Sequence, residues 1–172
     1  LGHDDLDEGD MMRRWLILFL LMAGAAGVGA WMMAGGTSGT SATLEPPQSV
    51  DLAEGKELYQ EYCASCHGSD LEGQAGWRSA GEDGILPAPP HDETGHPWHH
   101  PDSVLFYYTK LGGKKTLAKQ GVDFQSGMPG FGDELTDAQI WNILAFIKST
   151  WPDRQREVQA ARSEAEQQKR GD

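Results

Sequence analysis

The longest apolar run of the sequence lies near its N-terminus. Residues 15–34 contain no charged side chain, and at ~1.5 Å per residue they would form a helix as long as the hydrocarbon core of a bilayer is thick. Arg13 and Arg14 precede the run, whereas the first residues after it carry no charge. The positive-inside rule predicts that residues 1–14 are cytoplasmic and that the rest of the chain after the span is exported. We expect a retained single-pass anchor, with a cleaved signal peptide as the alternative.

Three segments follow the apolar run. Residues 35–50 are rich in Gly, Ser, Thr and Pro, a composition typical of a flexible linker. Residues 51–152 contain the hydrophobic periodicities of a globular domain. Residues 153–172 are charged and favour helix, but they offer little apolar stripe. We therefore expect a solvated helical tail there, with docking onto a partner as the alternative.

Three amphipathic helices are predicted within residues 51–152. The first follows an N-cap at Asp51, the second covers residues 102–111 and ends at two glycines, and the third opens with a capping box of Thr136 and Gln139. Residues 68–101 show no periodicity, and no strand-like alternation is present. The fold class is therefore predicted to be all-α with long loops. The expected apolar positions are Leu52, Leu58, Tyr59 and Tyr62, then Val104, Leu105, Tyr108 and Leu111, and finally Ile140, Ile143, Leu144 and Ile147.

Charge and length narrow the range of functions. The 172 residues include 26 acidic and 14 basic side chains, which gives a formal net charge of −12. This balance argues against a nucleic-acid-binding protein, because the neutralisation of phosphates needs a basic face. The length allows one ordinary domain beside the terminal segments. Two cysteines cannot build a disulfide framework.

The two cysteines lie in the motif CASCH at residues 63–67. A thioredoxin-like redox pair would need a βαβ setting, which the pattern lacks, and a zinc site would need two more regularly spaced ligands. A disulfide is compatible with an exported protein. The histidine directly after the second cysteine, the preceding helix and the exported location favour covalent attachment of haem c. Cys63 and Cys66 would then bond the porphyrin and His67 would bind the iron.

Met128 is the one methionine outside the first 34 residues, and it lies in a Gly/Pro loop before the third helix. A lone methionine is usually core filler, but filler is less expected in such a loop. We therefore expect Met128 to be the second axial ligand of the iron, opposite His67. A His/Met pair raises the reduction potential and suits electron transfer rather than the binding of a substrate.

Residues 51–152 resemble a monohaem class I cytochrome c domain, because they combine a helix ending in CASCHG, the loop MPGF and a capped last helix. The resemblance implies that the carbonyl oxygen of Pro89 or Pro90 accepts the N–H of the proximal imidazole. Together with the N-terminal span, the chain resembles the membrane-anchored cytochromes c of bacterial respiration, whose haem domain lies in the periplasm. The resemblance also implies a crossing of the first and last helices at Gly55, Tyr59, Leu144 and Phe146.

Four histidines between residues 91 and 100 depart from that family pattern: His91, His96, His99 and His100. Ordinary hydrogen bonding within a long loop is their expected role. The alternatives are a copper or zinc site, replacement of Met128 on the iron, and a response to pH.

The sequence thus predicts a one-electron carrier rather than an enzyme, tethered to the outer face of the cytoplasmic membrane. Its expected partners are a quinol-oxidising donor and a terminal oxidase or reductase, with basic or apolar docking patches that suit an acidic surface. The alternatives are a fixed haem subunit of a larger membrane oxidoreductase and a copper-handling protein that uses the histidine loop. The residues expected to wall the haem are Leu71, Ile85, Leu105 and Phe131.

Overall fold

The computed structural model describes residue 44 and residues 46–171. Within these residues the chain is helical and has no strand, so the all-α expectation is confirmed. No described helix combines the length and the apolar character needed to cross a bilayer. The predicted anchor at residues 15–34 lies outside the described residues, and the predicted segment limits stay predictions. The helices are α1 (Leu52–Tyr62), α2 (Ala64–His67), α3 (Asp102–Leu111), α4 (Gly113–Lys119), α5 (Asp137–Ser149) and α6 (Asp153–Gly171), with a 3₁₀ turn at Pro97–His99.

Local sequence determines where three of these helices begin or end. The Asp51 carboxylate caps α1 by accepting two backbone N–H groups at 2.9 and 3.0 Å. Thr136 and Gln139 form the predicted capping box at the start of α5. Gly112 ends α3 with a φ of 82°, a conformation that glycine adopts without steric cost. These boundaries follow the sequence prediction.

The core forms where α1 crosses α5. Gly55 of α1 lies so close to α5 that a Cβ on it would come within 2.1 Å of the Asn142 carbonyl oxygen. One turn later, the ring centroid of Tyr59 lies 5.6 Å from that of Phe146. Gly55, Tyr59 and Phe146 thus lie at the crossing as expected, and Leu144 is buried. The whole predicted stripe of α5 is buried: Ile140, Ile143, Leu144 and Ile147.

Two predicted stripes differ from the observed buried faces. Leu52 is 46% exposed, because the crossing with α5 begins at Gly55. On α3 the predicted apolar positions are only half-buried, and Phe106 instead stacks on Trp141 of α5 at a centroid distance of 4.8 Å. The buried residues of α3 are Asp102, Ser103, Phe106 and Thr109.

The C-terminal segment is helical as expected and most of its residues are exposed, but one side of the helix packs on the domain instead of being solvated throughout. Gln159 and Ser163 of α6 are only 1% and 7% exposed. Gln159 Nε2 donates to Asp102 Oδ1 at 2.7 Å, and the Asp102 backbone N–H donates to Ser163 Oγ at 3.0 Å. Lys148 Nζ of α5 lies 2.8 Å from the same carboxylate oxygen. The contacts that hold α6 on the domain are thus made by polar side chains. For this reason the hydrophobic pattern of residues 153–172 did not predict that α6 packs there.

Candidate haem-binding site

The CASCH motif covers the end of α1 and the short helix α2. The backbone N–H groups of Cys66 and His67 both donate to the Cys63 carbonyl oxygen, at 3.1 and 2.9 Å. Cys63 and His67 are each 7% exposed, whereas Cys66 is exposed. Both thiols are free, so the two cysteines do not form the disulfide considered as an alternative.

Among the described residues, the two thiols do not belong to a cluster of metal ligands. Burial, reinforced by the neighbouring Cys66, raises the pKa of Cys63 to about 12. Its thiol is therefore protonated at pH 7 as long as no group is bound to it. In residues 44 and 46–171, no three His, Cys, Asp or Glu side chains are grouped so as to hold a metal ion. The copper or zinc alternative for the histidine loop therefore finds no support in the described residues.

The hydrogen bond of His67 defines which of its ring nitrogens can bind a metal. Nδ1 lies 2.8 Å from the carbonyl oxygen of Pro89. A carbonyl oxygen can only accept, so Nδ1 carries the proton and Nε2 keeps its lone pair. Burial lowers the pKa of His67, although the bond to Pro89 opposes this effect. His67 is thus a neutral imidazole with Nε2 available, which is the form that ligates iron. Of the two prolines expected as acceptor, the structure selects Pro89.

The loop that carries Pro89 is held by backbone contacts. The Gln74 N–H donates to the Ala88 carbonyl oxygen at 2.8 Å, and the Ala88 N–H donates back to Gln74 Oε1 at 2.9 Å. Gly73 has a φ of 68°, and a Cβ on it would come within 2.4 Å of the Pro90 nitrogen. Because only glycine fits this close approach, Gly73 allows the backbone to take the path on which the Pro89 oxygen reaches His67.

Met128 lies in a loop anchored at the C-terminal end of α3. Its carbonyl oxygen accepts from the Gly113 N–H at 3.1 Å, and its own N–H donates to Ser126 Oγ at 3.3 Å. Three residues later, the Phe131 N–H donates to the Thr109 carbonyl oxygen at 3.0 Å. Met128 is half-buried. These contacts restrain the loop on both sides of the methionine.

The Met128 loop also approaches the elements around the CASCH motif. A Cβ on Gly127 would lie 3.2 Å from Ile85 Cγ2, and Ile85 belongs to the same loop as Pro89. The Phe131 ring meets the Tyr62 ring of α1 edge to face, with centroids 6.0 Å apart. The structure thus ties the methionine loop to both segments that flank His67. Of the residues expected to wall the haem, Leu71 is buried, while Ile85, Leu105 and Phe131 are half-buried.

The four histidines of the 91–100 loop are not grouped as a metal site among the described residues, although the rings of His96 and His100 meet edge to face at 5.4 Å. His91 stacks on His67 with ring centroids 3.8 Å apart and planes at 17°. Because His91 stacks on a face of the His67 ring, it would lie on the same side of an iron bound by His67 Nε2, and not on the opposite side, where Met128 is expected. The other stacked pairs are His96 with Trp77 at 5.6 Å and His99 with Trp98 at 3.6 Å.

Comparison with known families agrees with this geometry. The sequence pattern of the family described as "Cytochrome C oxidase, cbb3-type, subunit III" matches residues 50–147, which is more than half of the chain. The chain belongs to this family of c-type cytochrome domains. Its cofactor is therefore covalently bound haem c, and Cys63 and Cys66 fit the attachment motif. Two free thiols could bond the porphyrin, and the neutral His67 imidazole has an available Nε2 to bind the iron, as this group requires.

Among curated proteins, the chain is similar to the thiosulfate dehydrogenase of Stutzerimonas stutzeri (strain A1501). The two sequences are 30% identical over 106 residues, which cover 61% of this chain and 29% of the relative. The chain thus matches less than a third of the length of that protein. No solved structure matches the chain.

Proposed function

We propose that this c-type cytochrome transfers single electrons and that His67 and Met128 are the two axial ligands of its haem. The observation that carries the proposal is the His67–Pro89 hydrogen bond, which leaves Nε2 unprotonated beside Cys63 and Cys66. When bound, haem c supplies a one-electron iron couple. If His67 and Met128 both bind the iron, it would have no open position for a substrate.

The restraint of its loop supports Met128 as the second ligand. The backbone bonds of Met128 to Gly113 and Ser126 restrict the path of the main chain at the methionine. Gly127 lies close to Ile85, so this path runs near the segment that carries Pro89. A restrained thioether ligand costs less ordering on coordination than a mobile one. Because a thioether raises the reduction potential, this assignment predicts a carrier with a comparatively high potential.

The surface charge indicates the kind of partner. Residues 51–152 contain 7 basic and 15 acidic side chains, a net charge of −8. We expect docking partners that present basic or apolar patches, with an association rate that falls as the ionic strength rises. Cys66 is exposed at the surface of the domain, so one edge of a haem attached there would lie near that surface.

The proposed location is the periplasmic face of the cytoplasmic membrane. Residues 15–34 are long and apolar enough to act as the anchor, and residues 35–50 have the composition of a flexible tether. A tether confines the domain to the membrane surface and raises its effective concentration at membrane partners. The proposed donor is a quinol-oxidising complex, and the proposed acceptor is a terminal oxidase or reductase.

A second candidate function is that of a fixed haem subunit in a larger oxidoreductase. The matching family is described as an oxidase subunit, and the matching relative is a dehydrogenase of which the alignment covers only 29%. Domains of this kind therefore also occur within larger redox proteins. In that case α6, which is exposed on the face opposite its buried polar side chains, would be available as an assembly surface.

A native gel of detergent-solubilised membranes, stained for covalent haem, separates the two functions. A haem-stained species near the chain's own 18.8 kDa plus detergent supports the tethered carrier. A large species that survives moderate salt supports the subunit. Recovery of the haem in the soluble fraction before detergent is added would refute the anchor.

A further inference from the structure

A second imidazole lies against the proposed iron ligand. The ring centroids of His67 and His91 are 3.8 Å apart and their planes differ by 17°. This separation is van der Waals contact between two nearly parallel rings. His91 therefore covers one face of the His67 ring, and His67 cannot tilt toward that side unless His91 moves.

Contacts from three parts of the chain hold His91 in this position. Its backbone N–H donates to the Leu71 carbonyl oxygen at 2.8 Å. Its carbonyl oxygen accepts from Trp151 Nε1 at 2.7 Å, and Trp151 is 1% exposed. The Tyr59 ring meets the His91 ring edge to face at 5.8 Å. The ring of His91 is thus a fixed surface rather than a mobile neighbour of His67.

Leu71 supplies its carbonyl oxygen from an unusual backbone conformation. Its φ is 66°, and it is the one described non-glycine residue with a positive φ. This left-handed conformation is sterically costly for leucine, and such strain persists only where the surroundings enforce it. Here the resulting direction of the Leu71 carbonyl meets the His91 N–H.

One ring nitrogen of His91, Nδ1, is buried without a hydrogen-bond partner among the described residues. Burial of an unsatisfied polar atom is unfavourable, and an aliphatic side chain would fill the same space without that cost. What an aliphatic side chain would not supply is a flat ring face at stacking distance from His67.

The hydrogen bond to Pro89 alone does not define the tilt of the His67 ring. Hydrogen bonds at carbonyl oxygens tolerate a broad range of angles, so one such bond leaves the plane of the imidazole loosely set. A flat surface against the ring removes that freedom. We propose that His91 is a positioning residue for the haem, because its stack, together with the Pro89 oxygen, fixes the plane of the His67 imidazole on the iron. This inference rests on the proposed ligation of the iron by His67.

Electron paramagnetic resonance of the oxidised, haem-loaded protein tests this role, because the g-values of low-spin ferric haem depend on the orientation of the axial ligand planes. His91→Leu and His91→Gln both replace the ring, one by an aliphatic and the other by a polar side chain. His91→Phe keeps a flat ring but removes the polar nitrogens. The matched control is His99→Leu, since His99 stacks on Trp98 and not on His67.

In His91→Leu or His91→Gln, in whichever loads haem, we expect the g-values to shift and the lines to broaden. In His91→Phe and in the control, we expect narrow lines at g-values close to those of the wild type. Unchanged g-values and line widths in either ring-less variant would overturn the role of His91 and leave the proposed function intact. A separate variant, His67→Ala, distinguishes the two failures. If it keeps the wild-type low-spin signal, then the ligand assignment fails, and the inference about His91 fails with it.

Discussion

Replacement of Gly55 by alanine tests the helix crossing that supports the CASCH motif. A Cβ at Gly55 would lie 2.1 Å from the Asn142 carbonyl oxygen and 2.5 Å from its carbonyl carbon. Both atoms belong to the backbone of α5, so no side-chain rotation can make room. Because real Cβ contacts stay beyond 3.0 Å, α1 and α5 must separate locally by about an ångström in the variant.

Two effects of opposite sign decide the size of the loss. Alanine favours helix over glycine by ~1 kcal/mol, which would stabilise α1. Overpacking of a well-packed site costs ~1–3 kcal/mol and falls at the upper end when the obstacle is backbone. The clash prevails, and we expect the free energy of unfolding to fall by roughly 2 kcal/mol.

Urea unfolding of the haem-loaded protein, followed by its Soret absorbance and by helical circular dichroism, measures this change. Gly171→Ala on α6 is the matched control, because a Cβ there meets nothing within 4 Å. The control should be neutral or slightly stabilising. If Gly55→Ala is as stable as the control, then the helices do not cross at this residue in the way described.

The polar packing of α6 and the histidine loop give two further predictions. Gln159→Leu removes the donor to the buried Asp102 carboxylate and should lower the unfolding free energy by ~1–3 kcal/mol in the same assay, whereas Gln167→Leu at an exposed position of α6 should leave it unchanged. Burial, and then neighbouring cations, lower the pKa values of His96 and His100 below 6.5, so the unfolded chain binds these protons more readily than the folded one. The contribution of the neutral His96 and His100 to the free energy of unfolding should therefore be fully present above pH 6.5 and be lost as the pH drops below it. The urea midpoints at pH 7.5 and pH 5.5 should differ less in a His96→Gln/His100→Gln double variant than in the wild type. Equal differences in the two proteins would refute the role of His96 and His100 in the pH dependence.

The features that were predicted from the sequence are those that depend on neighbouring residues. The capping box at Thr136, the N-cap at Asp51 and the C-terminal glycine of α3 each satisfy backbone groups a few positions away. The apolar stripe of α5 needs only helical periodicity. The bond from His67 to a proline carbonyl came from the family resemblance, and the structure places it on Pro89.

The features that were missed depend on contacts between distant polar residues. Asp102 and Gln159 are 57 positions apart, and neither residue type indicates burial, so the packing of α6 gave no apolar signal. The stack of His91 on His67 depends on the path of residues 68–101, where the sequence has no periodicity. α4 was missed because Gly112 and Gly113 suggested the end of helical structure. In fact the chain resumes helix directly, at Gly113.

The ligation of the iron by Met128 is the central claim, and one spectrum tests it directly. A methionine sulfur on oxidised haem iron gives a sulfur-to-iron charge-transfer band in the far-red absorption. We predict that the oxidised wild-type protein shows this band and that Met128→Ala loses it, while its haem stays attached through Cys63 and Cys66. Absence of the band from the wild type, or its persistence in Met128→Ala, would contradict the account.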